Sequence, residues 1–234
     1  MLIFLDLETT GVESRDRLCS IALVSEDEYI YELVNEEKKI SVEASSVHHI
    51  TKEMLVDKPK FKESRAFAFL QEHNTSAHTL VAHNINFDLE KLRASGFVWL
   101  GETIDTLRVT KHLIPECEGF SLQILRYELK LYRLEAQKVV QYGIKDAMVA
   151  HNALSDALVT ELLFEVLLDM SSVDEMKTLS QKNVLLEKFS FGKHKGKYIE
   201  EVCINDRSYA EWLLSGVTEL DEDMKYSLNY YLQG

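Results

Sequence analysis

The stretch MLIFLDLETT, at positions 1–10, contains the first predicted strand and two of the candidate site residues. Residues 2–7 have the apolar character of a buried β-strand, although Asp6 lies among them and Glu8 follows directly. Side chains at positions i and i+2 of a strand point to the same face, so both carboxylates can reach one site. Two adjacent ionised carboxylates repel each other unless cations or a proton neutralise them. Taken alone, the Asp-x-Glu pair is common, and a solvated strand face explains it.

The patterns that follow this strand predict a sheet packed between helices. Apolar runs indicate further strands at 17–24, 28–34, 79–82 and 103–104. Helical spacing and breaks indicate helices at 51–56, 61–73, 87–95 and 105–114, a short one that opens at Ser121, and a long one within 146–168. The first three strands are expected to form an antiparallel meander. Strands first, then helices alternating with short strands, are typical of an α/β fold.

The apolar pattern changes near Ser171. Residues 171–183 are polar and charged, and a new apolar pattern begins at Leu185 and includes Phe189 and Trp212. We therefore expect a main domain at 1–170, a linker at 171–186 and a small C-terminal module at 187–234. Because the module is short, packing against the main domain is an alternative to folding alone.

The composition leaves the class of partner open. The chain has 234 residues and a formal net charge of −13, from 26 Lys and Arg against 39 Asp and Glu. A negative charge argues against nucleic acid, but carboxylates gathered around divalent cations make a site acidic until the metal binds. No signal peptide or membrane span is expected, and the three cysteines lack metal spacing. These features predict a cytoplasmic protein with free thiols and no membrane partner.

Two further segments contain acidic residues in a suggestive context. The stretch HNINFD at 83–88 places Asp88 at the start of a helix, where a carboxylate ordinarily stabilises the helix dipole or caps the helix. The stretch HNALSD at 151–156 contains His151 and Asp156. On one continuous helix these two would lie about 140° apart, so they converge only if His151 precedes the helix. Alone, each segment reads as an ordinary helix start.

Together the three segments resemble the histidine branch of the DEDD superfamily of 3′→5′ exonucleases over residues 1 to about 170. The matching residues are Asp6, Glu8, Asp88, His151 and Asp156. The tyrosine branch has its base where this sequence has Asn152. The segments 47–51 (VHHIT) and 104–106 (IDT) also resemble the family. The resemblance implies a ribonuclease-H-like exonuclease fold, with a mixed central sheet flanked by helices and a small C-terminal module.

The resemblance also implies catalysis with two Mg²⁺ or Mn²⁺ ions. These hard ions prefer oxygen ligands, and a carboxylate set without thiolates suits them. By family analogy, Asp6 bridges both ions, Glu8 and Asp156 hold the ion that activates water, and Asp88 supports the other. His151 is then the general base, because a histidine can accept a proton near neutral pH.

Three residues of the main domain are candidates for contact with the substrate. By resemblance, Thr9 and His48 contact the terminal nucleotide. Asn84 either hydrogen-bonds the nucleotide or caps the following helix, and the sequence does not separate these two roles. His49 and His83 are interpreted as a polar loop residue and a structural residue.

Residues 189–198, FSFGKHKGKY, form the most basic stretch of the chain. Lys193, Lys195 and Lys197 alternate with aromatic residues, as in surfaces that hold a nucleic-acid strand. A solvated basic hairpin is the alternative. Together with residues 209–214, the stretch resembles the C-terminal module of the exodeoxyribonuclease X family. The resemblance implies a module that holds DNA.

The sequence thus predicts a metal-dependent 3′→5′ exonuclease that releases nucleoside 5′-monophosphates from single-stranded or duplex DNA ends. An exoribonuclease of the same branch would carry the same catalytic residues, so RNA remains the alternative substrate. A non-catalytic nucleic-acid-binding protein is disfavoured, because all five candidate residues are present. A homodimer is implied only by resemblance to dimeric members of the branch.

Overall fold

The computed structural model describes residues 1–26, 28–145, 148–218 and 220–233, and the chain folds as two compact units. The first unit comprises Met1–Thr110 and Glu116–Ser180, and the second comprises Lys111–Pro115 and Gln181–Gly234. Residues 146 and 147, at the start of the region in which we predict a long helix, lie outside the described residues. Within the described ranges, no helix has the length and apolar character needed to cross a bilayer.

The first unit is built on a mixed sheet. Among the described residues its strands are β1 (Leu2–Thr9), β2 (Leu18–Val24), β3 (Tyr29–Leu33), β4 (Thr79–Ala82) and β5 (Glu102–Asp105). Their order is β3-β2-β1-β4-β5. The first three strands pair antiparallel, whereas β4 pairs parallel with both β1 and β5. This sheet confirms the predicted α/β class and the meander, and it makes β1 the central strand.

Helices follow and interrupt these strands. They are α1 (Val42–His48), α2 (Lys52–Leu55), α3 (Arg65–Glu72), α4 (Ile85–Ala94), α5 (Thr106–Leu113), α6 (Leu122–Glu128), α7 (Glu135–Tyr142), α8 (Ala153–Leu168) and α9 (Val173–Gln181). Helix α1 is not among the predicted elements, and it places His48 at a helix end instead of in a loop. The Ser41 hydroxyl starts this helix by accepting a hydrogen bond of 3.0 Å from the Ala44 N–H.

Helix α8 crosses one face of the sheet and is buried along most of its length. Phe4 of β1 meets Phe164 of α8 edge to face, with ring centroids 5.4 Å apart. The opposite face of β1 carries Ile3, Leu5 and Leu7 into a second apolar layer. The strict alternation along β1 therefore points Asp6 and Glu8 to the α8 side.

The expected linker at 171–186 instead contains a helix, α9, and the first unit extends to residue 180. A polar sequence forms this helix because it is capped and anchored. The Ser172 hydroxyl accepts a hydrogen bond from the Glu175 N–H (3.2 Å), and Met176 is fully buried. The Ser180 hydroxyl accepts one from the Asp105 N–H (2.9 Å), which ties α9 to β5.

The second unit has its own small core. Its helices are α10 (Ile199–Asn205), α11 (Arg207–Gly216) and α12 (Glu222–Gln233). The basic stretch folds back on itself before α10: Lys188 and Tyr198 form an antiparallel bridge, and the Phe189 N–H donates to the Lys197 carbonyl (2.9 Å). The core residues are Phe189, Ile199, Val202, Cys203, Ala210, Leu213, Leu220, Met224 and Leu228.

Candidate metal centre and active site

Three carboxylates meet beside the end of β1. Asp6 and Glu8 come from the strand, and Asp156 comes from the first turn of α8. One oxygen from each of the three lies within 4.8 Å of the others. A shift in the β1–β2 register between Glu8 and Thr9 breaks the ladder directly after the second carboxylate. An all-oxygen group of this size suits a hard divalent cation.

The fourth predicted carboxylate, Asp88, lies in the first turn of α4 and is buried. It is not one of the three whose oxygens cluster. It is nevertheless close enough to act electrostatically, since its charge contributes to the raised pKa of Asp6. Burial raises the pKa of Asp88 itself, a backbone hydrogen bond opposes this rise, and the charges of Asp105 and Glu8 add to it. The four residues thus share one negative field.

Burial and mutual repulsion make this cluster unfavourable in its ionised form. Burial and the charge of Asp156 raise the pKa of Asp6 well above its ordinary value and that of Glu8 to about 8. Burial raises the pKa of Asp156 to about 6, although the neighbouring His151, Arg126 and the Gln123 amide oppose the change. Near neutral pH the group must take up protons or cations. The donor set and the electrostatics both fit a metal centre.

His151 lies outside α8, one residue before its N-cap Asn152. Its φ of 58° is a left-handed conformation that few residues other than glycine, Asn, Asp and His adopt. The His151 N–H donates to one Asp156 oxygen (2.9 Å), while its ring is exposed. The irregular segment therefore turns His151 back beside the aspartate five residues later. Asn152 accepts a hydrogen bond from the Ser155 N–H (3.3 Å), and its amide donates to the Tyr31 hydroxyl.

A network that the sequence did not indicate holds Asp156 from the other side. The Gln123 amide donates to Asp156 Oδ1 (2.7 Å). The Gln123 carbonyl oxygen in turn accepts from Arg126 (3.2 Å), which fixes the orientation of the amide. Arg126 is buried and forms a two-pronged ion pair with Glu135, whose second contact measures 2.8 Å. No local sequence motif indicates this network, because its members come from three helices that meet only in the folded protein.

A cavity of about 300 Å³ opens beside Glu8. Its walls include Thr9, Val12, His48 and Phe87. Apolar walls that end at a carboxylate cluster can receive a small planar group, such as a nucleotide base. Thr9 and His48, both predicted to contact the substrate, therefore line one cavity.

The polar atoms of these two residues are nonetheless engaged within the protein. The Thr9 hydroxyl donates to the Gly11 carbonyl (2.8 Å). His48 Nδ1 accepts from the Ile50 N–H (3.0 Å), so Nε2 carries the proton and donates to the Thr9 carbonyl (3.1 Å). Burial lowers the pKa of His48, consistent with a neutral ring. His48 thus braces the strand that bears Glu8, and a direct contact with substrate stays a prediction.

Asn84 and His83 have different tasks. Asn84 holds the N-cap position of α4 with a φ of 71°, but its side chain makes no capping hydrogen bond and is exposed. Its backbone N–H donates to Asp105 (3.0 Å), and the Asp105 carboxylate also accepts from the Leu107 N–H. His83 contacts the Thr106 hydroxyl and the Phe120 carbonyl, as expected of a structural residue. The role of Asn84 as a cap is therefore not supported by its side chain.

In the second unit the three lysines differ from one another. Lys193 forms an ion pair with Asp206 (2.7 Å) and lies 4.6 Å from the centre of the Tyr209 ring. Hydrogen bonds from Lys193 and His194 hold the pKa of Asp206 well below its ordinary value. Lys195 and Lys197 are exposed. Of the three candidates, Lys193 is thus paired within the module and the other two face solvent, and contact of the three with DNA stays a prediction.

A mixed five-stranded sheet that presents carboxylates beside its central strand defines the ribonuclease-H-like class of exonuclease folds. Residues 3–164 match the family described as Exonuclease, and residues 189–215 match the one described as Exodeoxyribonuclease X-like C-terminal. The chain belongs to the exonuclease family.

Known proteins are similar to all or to most of this chain. Exodeoxyribonuclease 10 of Escherichia coli K12 is 24% identical over 238 residues, covering 100% of this chain and 99% of that protein. DNA polymerase III subunit epsilon of Treponema pallidum is 30% identical over 176 residues, covering 70% of this chain and 74% of the subunit. Among solved structures, Exonuclease X in complex with 5′ overhanging duplex DNA has a TM-score of 0.56 at 24% identity, covering 77% of this chain and 99% of that one. Escherichia coli Exonuclease I with a dT13 oligonucleotide has a TM-score of 0.51 at 18% identity, covering 74% and 42%.

Proposed function

We propose that this protein is a metal-dependent 3′→5′ exonuclease that hydrolyses DNA ends and releases nucleoside 5′-monophosphates. The observation that carries the proposal is the convergence of Asp6, Glu8 and Asp156 oxygens within 4.8 Å, with Asp88 in the same field. The relatives named for exodeoxyribonuclease activity support DNA as the substrate. The relationship to polymerase subunit epsilon supports a role in repair or proofreading.

Asp6, Glu8, Asp88 and Asp156 would hold the divalent cations, and we propose Mg²⁺ or Mn²⁺ because all the donors are carboxylate oxygens. Bound there, such ions would supply charge stabilisation and a water of lowered pKa for phosphodiester hydrolysis. A solved Exonuclease I relative is a zinc-bound form, so zinc belongs in any metal test.

The side chains of this chain have separate tasks in the proposed mechanism. His151 accepts the proton of the attacking water, because its exposed ring lies on the segment that joins Asp156. Gln123 keeps the Asp156 carboxylate oriented toward Asp6 and Glu8. Thr9 and the cavity wall receive the terminal nucleoside and exclude water from its base.

The decisive experiment is a cleavage assay with 5′-labelled single-stranded DNA and its RNA twin, in Mg²⁺, Mn²⁺, Zn²⁺ or EDTA. We expect a metal-dependent ladder that shortens from the 3′ end on DNA. Asp6→Asn should abolish it, while Asp57→Asn, which changes an exposed aspartate of the same unit, should retain full activity. A ladder mainly on RNA would make RNA the substrate in place of DNA. Undiminished activity of Asp6→Asn would refute the assignment of the active site.

We propose further that the second unit holds DNA through Lys195 and Lys197. Both side chains are exposed, and Tyr198 beside them is half exposed. Replacing the two lysines by alanine should reduce the slope of log affinity against log salt by about 1.4 to 1.8, at roughly 0.7 to 0.9 per phosphate contact. Lys193→Ala is the matched control, since Lys193 is already paired with Asp206. An unchanged slope in the double variant would assign the module another role. A homodimer and a cytoplasmic location stay predictions.

A further inference from the structure

Two tyrosines, one in α6 and one in the short helical turn that follows it, form an exposed aromatic pair. Tyr127 is 62% exposed and Tyr132 is 41% exposed. Their ring centroids are 5.5 Å apart and their planes are inclined by 35°. The exposed parts of the two rings therefore form one small aromatic surface, and aromatic side chains are the groups on which nucleic-acid bases stack. We name this pair the tyrosine platform.

Helix α6 connects the platform to the candidate active site, because it carries both Tyr127 and Gln123. Gln123 and Tyr127 are four residues apart on that helix, so their side chains lie on one face about 6 Å apart. Gln123 donates to Asp156 at 2.7 Å. Tyr127 thus lies one helical turn from Gln123, the residue of α6 that contacts the carboxylate cluster. The helix is held in place by the buried residues Leu122 and Leu125.

Positive charges flank the platform. Arg133 lies over Tyr132, with its guanidinium carbon 5.8 Å from the ring centre, and Arg126 lies 5.6 Å from the centre of Tyr127. The charge of Arg126 is balanced by Glu135, so Arg126 contributes a contact with the Tyr127 ring and no free positive charge. Lys130 and Arg133 are exposed, and neither has an ion-pair partner among the residues that the structure describes.

One carboxylate of α6 also lies in this region. Glu128 is exposed, and both of its oxygens accept a hydrogen bond from the Glu118 N–H, at 3.0 and 3.2 Å. This interaction holds the Glu128 carboxylate against the loop that precedes α6. Stacked rings beside unpaired cations are complementary to the bases and phosphates of a nucleic-acid strand.

We propose that Tyr127, Lys130, Tyr132 and Arg133 bind the single strand of DNA that leads into the active site. Bases stack on the tyrosine platform, and Lys130 and Arg133 contact phosphates. The proposal rests on the proposed nuclease function and adds the path that the strand takes on its way to the carboxylates. It also predicts that a strand too short to reach the platform gains nothing from it.

A binding experiment without metal tests the platform independently of hydrolysis. The full-length protein in EDTA is titrated into a 5′-labelled strand of about twelve nucleotides, within the range that one single-strand site covers, and binding is followed by fluorescence anisotropy. Tyr127→Ala with Tyr132→Ala should raise Kd by about 5- to 150-fold, the range for loss of a base–aromatic stack. The matched double change to phenylalanine keeps the ring faces and should retain Kd. Leu100→Ala, an exposed apolar change in the same unit, should also leave Kd unchanged.

Two further readouts separate the roles of rings and charges. Lys130→Ala with Arg133→Ala should lower the slope of log affinity against log salt by about 1.4, at roughly 0.7 for each phosphate on a single strand. In Mg²⁺, the double alanine change at the tyrosines should raise KM for the long strand by the same factor as Kd. It should leave kcat, and kcat/KM for a dinucleotide, unaltered.

The outcomes distinguish this proposal from the proposed function. Hydrolysis by the wild type together with an unchanged Kd and KM in the tyrosine double alanine variant would overturn the platform alone. Binding that depends on the tyrosines without any release of nucleotides would support the platform and refute the nuclease. A change of sedimentation coefficient in that variant, with DNA binding unaffected, would instead make the surface a protein interface and would also overturn the proposal.

Discussion

Replacing Glu8 by glutamine should stabilise the metal-free protein at alkaline pH. Burial and the charge of Asp156 raise the pKa of Glu8 from 4.5 to about 8 in the folded state. A carboxyl group with a raised pKa contributes stability that is fully present below its unfolded pKa and is lost as the pH rises through its folded pKa. The free energy of unfolding of the wild type should therefore fall between about pH 4.5 and 8. The glutamine variant should not show the part of this fall that comes from ionisation of Glu8.

The magnitude follows from the two pKa values. The difference between 4.5 and about 8 corresponds to about 5 kcal/mol at 1.36 kcal/mol per pKa unit. Glu8 is partly exposed, so water and salt screen the repulsion and reduce the effect to roughly 2–3 kcal/mol. Mg²⁺ should restore the lost stability of the wild type, because an ion that binds only the folded state stabilises it. The variant should gain less from Mg²⁺.

Urea unfolding from pH 5 to 8.5, in EDTA and in Mg²⁺, measures this effect. A Trp212→Phe background leaves Trp99, which packs against the core of the first unit, as the fluorescent probe. Glu90→Gln, which changes an exposed glutamate on α4, is the matched control and should follow the wild type. Equal free energies of unfolding for wild type and Glu8→Gln at pH 8.5 in EDTA would refute the reasoning.

Two further predictions concern residues beside the carboxylates. His151→Asn should lower kcat by about 100-fold or more with little change in metal affinity, because asparagine tolerates the left-handed backbone but cannot act as the base. Steady-state kinetics tests this against His49→Asn, an exposed histidine with a similar φ of 61°, and a normal kcat in the first variant would reassign the base. Gln123→Ala should weaken Mn²⁺ binding by roughly 10- to 100-fold, because the Asp156 carboxylate loses its orientation. Paramagnetic resonance titration measures this binding, Gln137→Ala on α7 is the control, and equal affinities would make Gln123 merely structural.

The carboxylate positions could be predicted because they depend on local geometry. The period of two along β1 places Asp6 and Glu8 on one face, whatever the rest of the chain does. The stretch before α8 required His151 to precede the helix, and it does. These features are decided within about ten residues of sequence.

The partners of those residues could not be predicted in the same way. Gln123 lies 33 positions before Asp156, and only the packing of α6 against α8 joins them. Lys193 looked like one of three equivalent lysines until the fold placed Asp206 beside it. A polar segment became α9 because of one cap and one buried methionine. Such outcomes depend on tertiary contacts that override local pattern.

The protein has a net charge of −13, and its proposed substrate, DNA, is also negatively charged. The site carboxylates are buried and close together, which raises the pKa of Asp6 and Glu8 through burial first and mutual repulsion second, and in ionised form they would repel a phosphate. A divalent cation attracts both the carboxylates and the phosphate. One bound ion therefore reduces the repulsion among the carboxylates and the repulsion between the protein and its substrate. The basic groups proposed to hold the strand, Lys130 and Arg133, lie in the segment that follows α6. Affinity for DNA should therefore depend on metal at the terminal nucleotide and on monovalent salt further along the strand, and the two dependences should be separable by strand length.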